Sequence, residues 1–131
     1  MSIQNEIWIA YAGNQLTCRV SVDHSSSDSV FQVVIAGEMD SKTAFITDMI
    51  IAMMRSFPCK RMAIDVKFLL FRDGQSINDS AIECVLSLVS ATALIKISTE
   101  LIMDDLFLLD ILESKLHKRP GYSTLTICSG S

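Results

Sequence analysis

The sequence lacks the marks of several large protein classes. No uncharged apolar run reaches the ~18–20 residues that a membrane-spanning helix needs. The longest apolar stretch, 81–95, is interrupted by Glu83 and by several serines. The opening Met1-Ser2-Ile3-Gln4-Asn5-Glu6 has no basic start and no apolar run after it, so no secretory signal peptide is expected. The four cysteines, Cys18, Cys59, Cys84 and Cys128, form no CxxC pair, and histidine is limited to His24 and His117. A zinc site therefore has little to draw on, and no metal or other cofactor is expected. Reduced, mostly buried thiols are expected instead, which place the chain inside a cell. No repeat or proline-rich linker divides it. The one biased stretch, Ser25-Ser26-Ser27-Asp28-Ser29, reads as a solvated loop.

What is present fits one domain spanning 1–131. Half of the 131 residues are hydrophobic and 20% are charged, enough to bury a core and too apolar for intrinsic disorder. The net charge of −4 argues against a free-standing basic nucleic-acid binder. It leaves room for a subunit whose RNA contacts come mainly from its neighbours. The mean hydropathy of +0.38 implies either a generous core or apolar surface that faces a partner.

Hydrophobic periodicity predicts the order βββαβαβ(α)β. Ile7, Ile9 and Tyr11 alternate with other residues up to Gly13-Asn14, and Leu16, Cys18, Val20 and Val22 alternate beyond it, a hairpin pattern. VFQVVIA, 30–36, is a third strand. Asp40 or Ser41 caps a helix over 42–56, so apolar around Phe45, Met49, Ile50, Met53 and Met54 that burial on more than one side is expected. Phe57-Pro58 stops it. RMAIDVKFLLF, 61–71, reads as one long strand with Met62, Ile64, Val66 and Phe68 on one face. Asp73-Gly74 is a turn. Ser80 and Glu83 have capping-box spacing for a helix running to about Ala93. Its buried face is Ile82, Val85, Leu86, Leu88 and Val89. One or two short strands fit 94–103, a helix, or an irregular acidic turn followed by one, fits 104–118, and YSTLTIC, 122–128, is a last strand. Strands and helices do not strictly alternate, so the expected class is α+β with a mixed sheet packed on two central helices.

The order Phe57-Pro58, Ile64-Asp65-Val66, Asp73-Gly74, Ala81-Ile82, Leu88 and Ala91 resembles the centre of the RNase PH fold (ribosomal protein S5 domain 2-like). Ala12-Gly13-Asn14 with the strand after it, and Leu101-Ile102-Met103-Asp104-Asp105 towards the end, resemble the flanks of that domain. The resemblance covers about 7–128 but is shortened. Among its branches it is similar to the small non-catalytic ring subunits of the eukaryotic RNA exosome. It implies a catalytically silent subunit that docks on other RNase PH-like subunits in a hetero-oligomeric ring, helps to shape the RNA channel, and works in nucleus and cytoplasm without a membrane.

Active relatives cleave RNA with phosphate and hold that phosphate with arginines. Between Asp23 and Asp48 this chain has Lys42 and no arginine, so a dianion there lacks a bidentate partner. Asp104 and Asp110 resemble catalytic carboxylate positions, and an active phosphorolytic 3′–5′ exoribonuclease stands as a further alternative on them. Their simpler role is an acidic turn at a helix start. Asp65 reads as a strand residue with a local partner. Arg55, Lys60, Arg61 and Arg72 are the candidates for RNA contact along one edge. His117-Lys118-Arg119 reads as an exposed helix end, and His24 as part of a solvated loop.

A second resemblance rests on other residues. Gly37-Glu38-Met39-Asp40, Ile64-Asp65-Val66 and Asp79-Ser80-Ala81-Ile82 resemble the landmarks of STAS-like regulatory modules, relatives of anti-sigma antagonists. It implies Ser80 as a phosphoacceptor at a helix N-terminus. The interval from Asp65 to Ser80 is longer than the short strand-to-helix link of that fold.

Overall fold

The computed structural model describes residues 5–23, 29–57, 59–74, 76–95, 97–104, 106–116 and 125–129. His24 with the serine run 25–28, Pro58, Asp105 and the basic run 117–119 lie outside them, as do 122–124 of the last expected strand.

The Gly-Asn signal produces the first hairpin. β1 (Asn5–Ala12) and β2 (Leu16–Asp23) pair antiparallel from Asn5 opposite Asp23 to Ala12 opposite Leu16. Gly13 supplies the positive φ of 62° that the turn between them needs. β3 (Val30–Gly37) adds antiparallel to β2. From here the chain crosses over through helices. α1 (Phe45–Ser56) leads to β4 (Arg61–Asp65), parallel to β3. α2 (Asp79–Leu94) leads to β7 (Ser98–Met103), parallel to β4. α3 (Leu106–Leu116) leads to β8 (Leu125–Ser129), parallel to β7. Between β4 and α2 the chain forms a small hairpin of β5 (Arg72–Asp73) and β6 (Ser76–Ile77). The main sheet runs β1-β2-β3-β4-β7-β8, so the fold is α+β with a mixed sheet.

Period-two alternation decides which face is covered. Leu16, Cys18, Val20 and Val22 of β2 are buried, as are Phe31, Val33 and Ile35 of β3, Met62 and Ile64 of β4, and Thr99, Leu101 and Met103 of β7. All of these but Thr99 form one apolar core with Ile46, Ile50 and Met54 of α1, with eight buried apolar positions of α2 and with Leu112 of α3. Of the alternate residues, Arg19, Gln32, Arg61 and Glu100 are exposed, and Ser21, Val34, Ala63 and Ile102 are half-buried. Among the described residues the molecule thus has two layers, with helices on one face of the sheet and the other face open.

Several boundaries differ from the periodicity reading. The first helix begins at Phe45 rather than Lys42, because residues 41–44 form a turn held by i→i+3 bonds, Ile46 N–H to Thr43 carbonyl (3.1 Å) and Thr47 N–H to Ala44 carbonyl (3.1 Å). Its burial is one-sided: Phe45 is 55% exposed, and Met49 and Met53 are half-buried. The long strand over 61–71 ends at Asp65. The Asp65 carboxylate accepts the Lys67 amide (3.1 Å) and pairs with the Lys67 ammonium (3.7 Å), which turns the chain. Phe68 is consequently 69% exposed instead of facing the core, and Leu69 and Phe71 are buried in its place. The helix expected within 104–118 is present as α3, beside the two central ones.

Candidate functional site

In sheets with parallel strands, ligands and partners collect outside the carboxyl ends of those strands, where the connections leave for the helices. Here that end is built by the loop after β3, by the excursion after β4, and by the start of α2.

Gly37 leaves β3 with φ 110°, and a Cβ there would collide with the Gln15 carbonyl oxygen, so only glycine fits. Its amide donates to the Phe68 carbonyl (3.0 Å) and its carbonyl accepts from Leu70 N–H (2.8 Å), tying the β4–α2 excursion to β3. The adjacent Asp40 carboxylate accepts the amides of Lys42 (2.8 Å) and Thr43 (3.0 Å) and the Gln15 side-chain amide (2.9 Å). Asp40 N–H donates in return to Thr43 Oγ1 (2.8 Å). The Gln15 bond, followed by those from Thr43 and Lys42, holds the Asp40 carboxyl below its ordinary value.

The start of α2 is fixed by Asn78, not by a box of Ser80 and Glu83. Asn78 Oδ1 accepts Ala81 N–H (3.1 Å), while its Nδ2 donates to Met39 carbonyl (2.9 Å) and to Leu70 carbonyl (3.3 Å). Asn78 N–H also donates to Phe71 carbonyl (2.7 Å). One side chain therefore joins the loop after β3, the excursion and the helix. The cap therefore sits two residues before the serine that the capping-box spacing points to. Its only local signal is an asparagine three residues before Ala81.

Because Asn78 does the capping, the Ser80 hydroxyl is not used as a cap. Ser80 is half-exposed on the first turn of α2. It lines two hollows. One, about 280 Å³, lies against Glu38, Met39, Asp40 and Asn78. The other, about 360 Å³, is a groove between α1 and α2 bordered by Thr47, Asp48, Asp79, Glu83 and Cys84. That groove carries three carboxylates and no cation among its lining residues. At its floor burial pushes the Cys84 thiol up to about 11, partly offset by its hydrogen bond with Thr47. Burial, followed by the neighbouring Cys84, lifts Cys18 to about 12. Both are therefore protonated, unreactive core thiols. Cys59 is half-buried and also raised by burial.

The other sequence candidates are distributed. Arg55 is exposed in the last turn of α1, and Lys60 and Arg61 are exposed at the amino end of β4, where both amides donate to the Ser29 carbonyl (3.1 and 3.2 Å). Arg72 lies at the opposite end, beyond the carboxyl end of β4, so the four do not share one edge. Asp104 is exposed after β7, in a hollow of about 280 Å³ with Lys67 and Arg72. Asp110 is exposed on α3 and does not line that hollow. Among the described residues no group of histidine, cysteine or carboxylate side chains is placed to hold a metal ion, and no helix is long and apolar enough to cross a membrane. No protein-family model, no curated protein and no solved structure matches the chain significantly.

Proposed function

We propose that the chain is a STAS-like regulatory module whose partner binding is set by phosphorylation of Ser80. The observation that carries this reading is the position of Ser80: half-exposed, freed from capping by Asn78, and on the rim shared by the Asp40 hollow and the α1–α2 groove. A phosphate there gains from the N-terminal dipole of α2. It also adds about −1.5 to −2 charges to a groove already bordered by Asp48, Asp79 and Glu83. A partner that brings acidic groups to this face is repelled, and a cationic partner is held more tightly. The chain itself supplies the acceptor and a partner kinase supplies the phosphoryl group. The alternation of strand and helix from β3 to β8 supports the reading. So does the β5–β6 hairpin, which houses the extra length between Asp65 and Ser80.

The test is mass spectrometry of the full chain recovered from its own cells, with and without phosphatase treatment. The expected result is a single phosphate mapped to Ser80 and absent in Ser80→Ala. A chain carrying no phosphate at Ser80 under any growth condition overturns the reading.

The second reading, a catalytically silent RNase PH-like ring subunit, draws on a different observation. Arg55, Lys60 and Arg61 gather at the amino end of β4, where they can face RNA phosphates. Co-purification with other RNase PH-like chains favours this reading over the first.

A further inference from the structure

β1 is an outer strand of the sheet, and among the described residues nothing pairs with its free edge. Proteins keep such edges from pairing by making them short, bulged, or rich in lysine and proline. β1 does none of this. It spans eight residues, its register with β2 runs without a bulge, and Glu6 is its one charged residue. Ile7, Ile9 and Tyr11 stand on the open face, exposed at 54%, 57% and 70%. The β2 residues beside them, Ser21, Arg19 and Thr17, are polar. The apolar strip is therefore confined to the outermost strand. This points to an occupant that lies alongside β1 rather than over the face of the sheet.

We propose that β1 pairs antiparallel with β1 of a second copy, about a two-fold axis at Ile9, so that two sheets become one. The strand is self-complementary in that register. Ile9 meets Ile9 of the second copy, and each Ile7 meets Tyr11, an aromatic–β-branched cross-strand pair. On the helix side Trp8 meets the small Ala10. Each Glu6 faces Ala12, so the only charges on the strand sit at opposite ends of the new ladder, about 20 Å apart at ~3.4 Å per residue. Moving the axis one residue to Trp8 would instead set Tyr11 against Asn5 and Trp8 against Trp8. The register about Ile9 is the one that pairs all the exposed apolar side chains with each other.

The test uses the full chain, with mass measured by light scattering across micromolar concentrations. A dimer is expected. Ile9→Lys places two ammonium groups opposite each other and weakens the dimer about tenfold or more. Because residue 9 faces solvent, circular dichroism should show the fold unchanged. Ile9→Cys, in a Cys59→Ser, Cys128→Ser background, should link two copies under oxidised glutathione, because opposed residues lie within disulfide reach. Thr17→Cys, on the same face but one strand in, should not. A monodisperse monomer overturns the proposal, including one that binds an extended peptide along β1. So does a dimer that Ile9→Lys leaves intact and Ile9→Cys fails to link.

Discussion

Two connections leave the carboxyl ends of neighbouring parallel strands and deliver a helix, and they are built differently. The link from β3 to α1 adds side chains to its backbone turn: Asp40 closes the turn on the amides of Lys42 and Thr43, and Gln15 from the first hairpin braces it. The link from β4 to α2 is held by backbone. It bridges to Gly37 through Phe68 and Leu70, then forms the β5–β6 hairpin before Asn78 admits the helix. The first link resists perturbation through one carboxylate, and the second through a ladder of main-chain bonds. Gly37 and Asn78 are the points where the two meet.

Breaking both links at once should have the largest effect. Gly37→Ala must place a Cβ against the Gln15 carbonyl at a φ of 110°. A loss of about 3 kcal/mol or more is expected from strain and overpacking. Urea denaturation checks it, and an unchanged midpoint would show that the loops rearrange independently.

Asn78→Ala addresses the second link and its tie to the first. It removes the α2 cap and the bonds to Met39 and Leu70 carbonyls. A cost of about 1–2 kcal/mol is expected. The same measurement on Ser80→Ala should give a change within about ±0.5 kcal/mol. That contrast separates the capping residue from the proposed phosphoacceptor.

The smallest effect belongs to the first link alone and depends on pH. The Asp40 carboxyl has a lowered pKa in the folded chain, so the folded state binds its proton less readily than the unfolded one. Its stabilising contribution is present above the unfolded value and fades as pH falls through the lowered folded value. Asp40→Asn should therefore remove part of the acid-side loss of stability while changing the β4–α2 link little. Melting temperatures compared at neutral pH and near pH ~3 check this.

The two links also explain what could be read from the sequence. The first hairpin was legible because alternation on both sides of Gly13-Asn14 has a single physical solution. The buried face of α2 was legible for the same reason at helical period. The end of β4 was not, since Met62, Ile64, Val66 and Phe68 keep alternating past Asp65 and the turn there depends on the Asp65 side chain bonding two residues ahead. A hairpin with two residues in each strand carries no periodicity to read. At the candidate site, Ser80 could be placed at a helix start from local chemistry. The role of Asn78 could not, because one of its partners, the Met39 carbonyl, lies 39 residues away in sequence.

Trp8, the one tryptophan of the chain, stacks on Phe57 with ring centroids 4.9 Å apart and planes tilted by 41°. This contact joins the outermost strand to the end of α1. The intrinsic fluorescence of the protein is therefore an optical gauge of a single seam. Quenching and emission wavelength report whether β1 is seated on the helical layer, without any label and separately from the rest of the core.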